Sequence, residues 1–201
     1  MDLGLTDRIA FVAGASSGLG YAAATELARE GCRVALCSRD EAHIAAAADS
    51  IVDTTGVDAG RVLSLACDVT DENQIEQAIE QTVDRFGGLH ILLTNAGGPP
   101  SGTVDEFDAE DWRDALELNL MSTINLCRHA LPHLRTAADR DRHARILMVS
   151  SISAKQPIPG LDLSNTSRAG VQGFAKSLAN ELGPEGITVN TLLPGYTRTE
   201  R

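Results

Sequence analysis

IAFVAGASSGLGYAAATELAR, residues 9–29, decides how the rest of this 201-residue chain is read. Ile9 to Val12 are four apolar residues in a row, the pattern of a short buried strand, and Gly14, Gly18 and Gly20 then interrupt the chain before an Ala- and Leu-rich helical run. The order is strand, glycine turn, helix. Glycine suits such a turn because it adopts backbone angles other residues avoid, and because a missing Cβ lets main-chain N–H groups approach a phosphate. The helix that follows aims its positive dipole end at the same place, with Ser16, Ser17 and Leu19 inside the turn. The spacing, Gly14-x3-Gly18-x-Gly20, is wider than the GxGxxG of the common dinucleotide fingerprint.

Gly14-Ala15-Ser16-Ser17-Gly18 also spells GxSxG, the nucleophile turn of an α/β-hydrolase. Chain order argues against that alternative. A hydrolase places several strands before its serine and a histidine late after it, whereas here the motif follows the first strand and the last histidine is His143.

Composition narrows the remaining possibilities. A chain of this length fits one domain and buries roughly 70% of its unfolded surface. It has no N-terminal apolar run behind a basic segment and no apolar stretch approaching the length of a membrane span, so a soluble, cytoplasmic protein is expected. Cys32, Cys37, Cys67 and Cys127 form no CxxC pair, which fits a reduced compartment better than a disulfide framework. The formal charge is −11, with 28 acids and with Lys155 and Lys176 as the lysines. Such a surface repels nucleic acid and anionic membranes, because binding either requires basic groups to neutralise phosphates. The acid excess also suits a salt-rich cytoplasm, where screening relieves self-repulsion, or an ordinary acidic protein.

After the first helix, Gly31 supplies a stop and Arg33 to Ser38 (RVALCS) forms a second buried strand ending in Ser38-Arg39-Asp40. In a dinucleotide fold an acid at this strand end holds the adenosine ribose, and an arginine accommodates a 2′-phosphate. Ser38 is uncharged and Arg39 lies 19 residues past Gly20, so the sequence leans to NADP(H) over NAD(H). A solvated loop charge is the alternative for Arg39.

A helix over Glu41–Asp53 and a strand over Arg61–Ala66 follow, the latter running into Cys67-Asp68-Val69, and Asp68 sits just past the strand end, where ligands collect. Asp71–Phe86 is amphipathic, with Ile75, Ile79, Val83 and Phe86 on one face and Thr70 as its expected cap. Ile91–Leu93 is a fourth strand leading into Thr94-Asn95-Ala96-Gly97, small residues that allow close approach to a ligand. A long helix is expected over Ala109–Leu134. Within it Asn119, flanked by Leu118 and Leu120, marks a functional residue or a kink, because Asn is a poor mid-helix residue. His129 and His133 share a helix face but lack a third metal ligand, so an exposed surface position is expected and no metal site is assigned. Thr136–Arg142 (TAADRDR) reads as a solvated loop. Ile146–Val149 is a fifth strand ending in Ser150-Ser151. Leu163–Leu182 is a helix whose apolar residues, Val171, Phe174, Ala175 and Leu178 among them, call for cover by a second subunit. Ile187–Leu193 precedes Pro194-Gly195-Tyr196-Thr197-Arg198-Thr199. Strands and helices alternate six times, which specifies an α/β fold with a doubly wound parallel sheet.

With these motifs in place the chain resembles the short-chain dehydrogenase/reductase family from its first strand to its last residue, 3-oxoacyl-ACP reductase and glucose dehydrogenase-like members in particular. The resemblance rests on the glycine turn (with Ala13 for the usual Thr), Asp68, Asn95-Ala96-Gly97, Asn119, Ser151, and Pro194-Gly195 followed by Thr199. It implies a Rossmann-type sheet flanked by helices on both faces. The implied activity is nicotinamide-dependent hydride transfer to or from a small carbonyl or alcohol, in a homotetramer or dimer. Val69, Thr197 and Arg168 join the implied cofactor contacts.

Two departures stand out. The family's Tyr-x-x-x-Lys lies thirteen residues past its serine, and thirteen past Ser151 falls on Ser164, with Arg168 where the lysine should be. The implied catalytic set is therefore Asn119, Ser151, Ser164 and Arg168. Cofactor binding is better supported than catalysis, and a binding protein with impaired chemistry, a sensor or scaffold, is the alternative function. The second departure is length. The chain stops at Arg201, short of the family's substrate flap and last strand, so one dinucleotide-binding domain over 1–201 is expected.

Overall fold

Six strands lie parallel in a single sheet in the computed structural model, which describes residues 2–141 and 143–199. They are β1 (Ile9–Ala13), β2 (Arg33–Ser38), β3 (Val62–Ala66), β4 (Ile91–Thr94), β5 (Ala144–Val149) and β6 (Ile187–Leu192), in the order β3-β2-β1-β4-β5-β6. The helices are α1 (Gly18–Arg29), α2 (Glu41–Thr55), α3 (Glu72–Phe86), α4 (Ala109–Leu116), α5 (Ser122–Asp141) and α6 (Asp162–Leu182).

Alternation along β1 shows why the sheet is covered twice. Ala10 and Val12 pack with Ala24 and Ala28 of α1 and with Ile44 and Ile51 of α2, while Phe11 and Ala13 join Ile75 and Ile79 of α3, Leu126 and Leu134 of α5, and Val171 and Leu178 of α6. With both faces buried, every residue of β1 and β4 is apolar or small and inaccessible. Phe11 sits in register with Ala35 on one side and Leu92 on the other. From β1 the chain winds outward through β2 and β3, then crosses back to β4, so the order reverses between β1 and β4. A crevice opens at the carboxyl ends of strands at that point.

Five local expectations are corrected. The long helix over 109–134 is interrupted: α4 ends at Leu116, a single π-helical turn spans Glu117–Met121, and α5 then runs to Asp141. Asn119 lies in that turn. Residues 136–141, expected as a loop, continue α5, because Leu134, Ala137 and Ala138 share a buried face and leave the polar residues outside. Arg142 lies outside the described residues. Asp71, not Thr70, caps α3, accepting from the N–H groups of Asn73 and Gln74, while Thr70 donates to Asp68. In α6, Val171, Phe174, Ala175 and Leu178 recur at i, i+3, i+4 and i+7 and pack in this chain's own core. The outward positions Ala169, Gly173, Lys176 and Ser177 are small or polar, so these apolar residues need no second subunit to cover them. His129, expected on the exposed surface, is held with its side chain 19% exposed by a 3.1 Å contact to Glu72 of α3.

Candidate functional site

A cleft of about 620 Å³ runs along the carboxyl ends of the strands, with Arg39 and Asp68 lining its β2–β3 side and Ser151, Ser164 and Arg168 lining it beyond β5. Its middle is the glycine turn. Gly14 has φ +60°, and a Cβ there would lie 2.8 Å from Asn95. Asn95 in turn donates from Nδ2 to the Gly14 carbonyl at 3.0 Å, pinning the end of β4 to the turn after β1. Gly20 does not line the cleft. Its role is packing: a Cβ would come 2.3 Å from the Gly14 carbonyl oxygen, so only glycine lets α1 start this close to the turn.

The start of α1 differs from its neighbours. Asp40, Asp71 and Asp108 cap α2, α3 and α4 through their carboxylates, and acids follow in each first turn. Ser17 caps α1 without a side-chain hydrogen bond, and no acid lies in that first turn. Ser16, Ser17, Gly18 and Leu19 line the cleft, so the positive end of the helix and its N–H groups meet it without a protein carboxylate in between. A helix start of this kind favours an anion.

At the β2–β3 end of the cleft Ser38, Arg39, Asp68 and Val69 come together. Arg39 is exposed, and among the described residues it forms no hydrogen bond or ion pair. Asp40 beside it is already engaged, its carboxylate accepting from His43 N at 2.8 Å. Asp68 takes the Thr70 N–H and hydroxyl on Oδ1, at 3.0 and 2.8 Å, which fixes the carboxyl beside the cleft. Cys67 lines the cleft as well, which the sequence reading did not anticipate. The Cys37 thiol donates to it, holding the Cys67 thiol below its ordinary value, while hydrogen bonding to Cys67 and burial push Cys37 well up.

Opposite lie Asn95, Ala96 and Gly97 after β4, Ser151 after β5, and Pro194, Gly195, Thr197 and Thr199 after β6. Arg168 organises this end from the second turn of α6. Its Nε donates to Ser164 Oγ at 3.2 Å, Nη1 to the Ser150 carbonyl at 3.2 Å and to that of Val149 at 3.5 Å, and Nη2 to the Gly97 carbonyl at 3.3 Å. One guanidinium thus ties α6 to the ends of β4 and β5. Ser151 Oγ accepts from Ser153 N at 3.1 Å, at the start of a short 3₁₀ turn. Val149, Ser150, Gly98 and Leu118, unforeseen from sequence, complete the lining. Asn119 does not line it. It is 3% exposed behind Leu118, donates to the Ala115 carbonyl at 3.4 Å, and its Oδ1 is buried without a partner.

No tyrosine reaches the cleft. Tyr21 bonds Ser50 across α1 and α2 at 2.8 Å, and Tyr196 is fully exposed.

The parallel sheet, its switch point and the glycine turn define a Rossmann-type fold, the class that binds dinucleotides. The family model described as short chain dehydrogenase matches residues 8–201, and the chain belongs to that family. Its backbone superposes on the L-sorbose reductase of Gluconobacter frateurii complexed with NADPH and L-sorbose, with a TM-score of 0.93 and 33% identity, covering 100% of this chain and 73% of that one. A short chain oxidoreductase from Pseudomonas aeruginosa PAO1, described as containing an atypical catalytic center and solved with NADPH bound, is 34% identical, with a TM-score of 0.86 over 94% of this chain and 72% of that one. The 3-ketoacyl-(acyl-carrier-protein) reductase of Brucella melitensis, complexed with NADH, is 28% identical, with a TM-score of 0.90 over 98% and 78% of the two chains.

Proposed function

We propose that this oxidoreductase uses NADP(H) in preference to NAD(H), and that it moves a hydride between the nicotinamide and a small carbonyl or secondary alcohol held at Ser151 and Ser164. The observation that carries the reading is one continuous cleft with an unpaired arginine at one end, an acid-free helix start in the middle, and two serines with a fixed guanidinium at the other. The residues fit the cofactor. Gly18, where an added Cβ would stand 3.6 Å from Thr199, would leave room for a diphosphate over the α1 N–H groups, Arg39 would meet a 2′-phosphate, and Asp68 with Val69 would frame the adenine. The bound nicotinamide supplies or receives the hydride.

What the chain's own residues do at the reacting end differs from the family's pattern. Arg168 carries the positive charge that the lysine would bring, but it stays protonated and its fork is committed to fixed oxygens. Ser164 is an aliphatic alcohol, too short to reach where a tyrosine oxygen would sit and unable to spread negative charge over a ring. The cleft therefore binds and orients a carbonyl without a side chain suited to protonate it at neutral pH. The Pseudomonas protein, itself described as a short chain oxidoreductase containing an atypical catalytic center, is in keeping with a member of the family that departs from the usual residues.

A single-turnover assay that follows reduced-nicotinamide absorbance over a panel of aldehydes and ketones tests this. Oxidation of NADPH by at least one carbonyl class is expected. Tight cofactor binding with no oxidation by any of them would instead make the chain a dinucleotide-binding protein.

A further inference from the structure

At the far end of the cleft two serine hydroxyls each accept a hydrogen bond, which leaves their own protons to other partners. Arg168 Nε–H points at Ser164 Oγ at 3.2 Å, so that oxygen is an acceptor on its inner side and its own proton must go elsewhere. Other hydroxyls on these helices send their protons to the carbonyl four residues back: Ser167 to Leu163 at 2.8 Å, Ser122 to Leu118 at 2.6 Å, Thr123 to Asn119 at 2.9 Å. Ser164 makes no such bond, and the carbonyl that would take it, that of Gly160, already accepts Gly102 N–H at 2.7 Å. Ser151 is in the same position, its Oγ an acceptor for Ser153 N–H. Both side chains line the cleft, and Arg168 links Ser164 to the carbonyl of Ser150, the residue next to Ser151.

The titratable side chains lining the cleft are Arg39, Cys67, Asp68 and Arg168. The first three stand at the β2–β3 end, and arginine does not release a proton.

We propose that Ser151 and Ser164 form a two-donor clamp on a carbonyl oxygen, and that the clamp selects 1,2-dicarbonyl acceptors, vicinal diketones and ortho-quinones, over unactivated ketones. This rests on the hydride-transfer reading above. The hydride brings its electron pair to the carbonyl carbon, the C=O π pair moves to oxygen, and the dinucleotide is left oxidised. The oxygen is then an anion held by two O–H donors, beside the Arg168 charge and the start of α6. No side chain delivers a proton during the step. The anion takes one from water afterwards, and hydroxide passes to solvent. An acceptor whose reduced oxygen is a weak base tolerates that order, and a second carbonyl next to the reacting one makes it so. A simple ketone yields a strongly basic alkoxide that needs its proton during the transfer. Ser151 and Ser164 are catalytic in this scheme, and Arg168 is a positioning residue that orients the Ser164 proton.

The test compares acetophenone, trifluoroacetophenone and 1-phenyl-1,2-propanedione with NADPH. The expected result is a rise in kcat/KM of about 10²–10⁴-fold from the first to the activated pair, the range a missing general acid leaves open. A second readout needs no turnover. p-Nitrophenol, whose anion alone absorbs strongly in the visible, should bind to the protein loaded with oxidised cofactor as the phenolate, at a pH where the free phenol is largely protonated. Ser164→Ala and Arg168→Met should each weaken that spectral signature, and Ser151→Ala with Ser164→Ala should abolish it. Equal kcat/KM across the three ketones, or p-nitrophenol bound as the neutral phenol, would overturn the clamp while leaving hydride transfer intact. No NADPH oxidation by any of the three, with NADPH still bound, would overturn the functional reading and the clamp with it.

Discussion

Arg39 should set the cofactor preference, and its surroundings fix how strongly. The guanidinium lines the β2–β3 end of the cleft, and among the described residues no carboxylate is paired to it, so binding a 2′-phosphate there would break no existing ion pair. A hydrogen bond to a charged group contributes about 1.5–3 kcal/mol. Arg39 is exposed, however, and solvent and salt screen the contact. The expected advantage of NADPH over NADH is therefore about 1–2 kcal/mol, or roughly five- to thirty-fold in Kd. Asp40 does not compete for the ribose hydroxyls, because its carboxylate caps α2. Arg39→Ser should remove the advantage by weakening NADPH binding alone, and Arg39→Asp should reverse it. Fluorescence titration of both dinucleotides, at low and at high salt, measures each of these values. The gap should narrow as salt rises. Equal dissociation constants for NADPH and NADH on the unaltered protein at low salt would refute the assignment of Arg39, and so would an Arg39→Ser variant that keeps the preference.

Gly20→Ala should cost about 1–3 kcal/mol in a denaturant melt, with a weaker cofactor Kd besides, because the added Cβ meets a backbone carbonyl at 2.3 Å and backbone must move. Thiol labelling of the native protein should be slow at all four buried cysteines, and any that reaches Cys67, which lines the cleft, should be slowed by bound dinucleotide. Cys32 and Cys127, pushed by burial to about 11 and about 12, should stay silent until unfolding. Glu72 is held below its ordinary carboxylate range chiefly by the His129 hydrogen bond and also by Arg128. A depressed acid contributes stability above its unfolded value and loses it as pH falls through the folded one. Glu72→Gln should therefore lower the melting temperature at neutral pH, and the difference should fade on acidification below the usual glutamate range. Ser164→Tyr together with Arg168→Lys should raise reduction of unactivated ketones if the cleft admits the ring, and unchanged acetophenone turnover in a folded, NADPH-binding double variant would count against Ser164 as the missing acid.

Strands were legible because both sheet faces are covered, so each reads as an apolar run: β1, β2 and β4 lie within a residue of their expected bounds. The break between α4 and α5 was not, because a π turn carries no composition of its own. Asn119 marked the place without saying which irregularity would occur there. Residues 136–141 were misread for a different reason. Their charge suggested solvent, yet two alanines in register with Leu134 were enough to keep the helix on the core. That Gly14, Ser16, Arg39, Asp68 and Asn95 line one cleft was readable from local motifs at the strand ends. The far end of that cleft was readable only in part, since Arg168 finds its partners among carbonyls of Val149, Ser150 and Gly97, and a backbone carbonyl leaves no trace in sequence.

Those carbonyls also explain why Ser164 and Arg168 belong together. The fork spends Nη1 and Nη2 on three carbonyl oxygens at the ends of β4 and β5, which leaves Nε for the hydroxyl one turn earlier on α6. A lysine at 168 carries a single ammonium with three donors and cannot span the same set of acceptors. A tyrosine at 164 would carry its hydroxyl well beyond the reach of Nε, leaving that donor to solvent or to no partner. Each substitution alone removes a partner from the other, and a half-satisfied network costs more than either complete one. The serine and the arginine are thus one arrangement rather than two losses. Its effect is to hold a hydroxyl oxygen from behind and turn the proton toward the cleft.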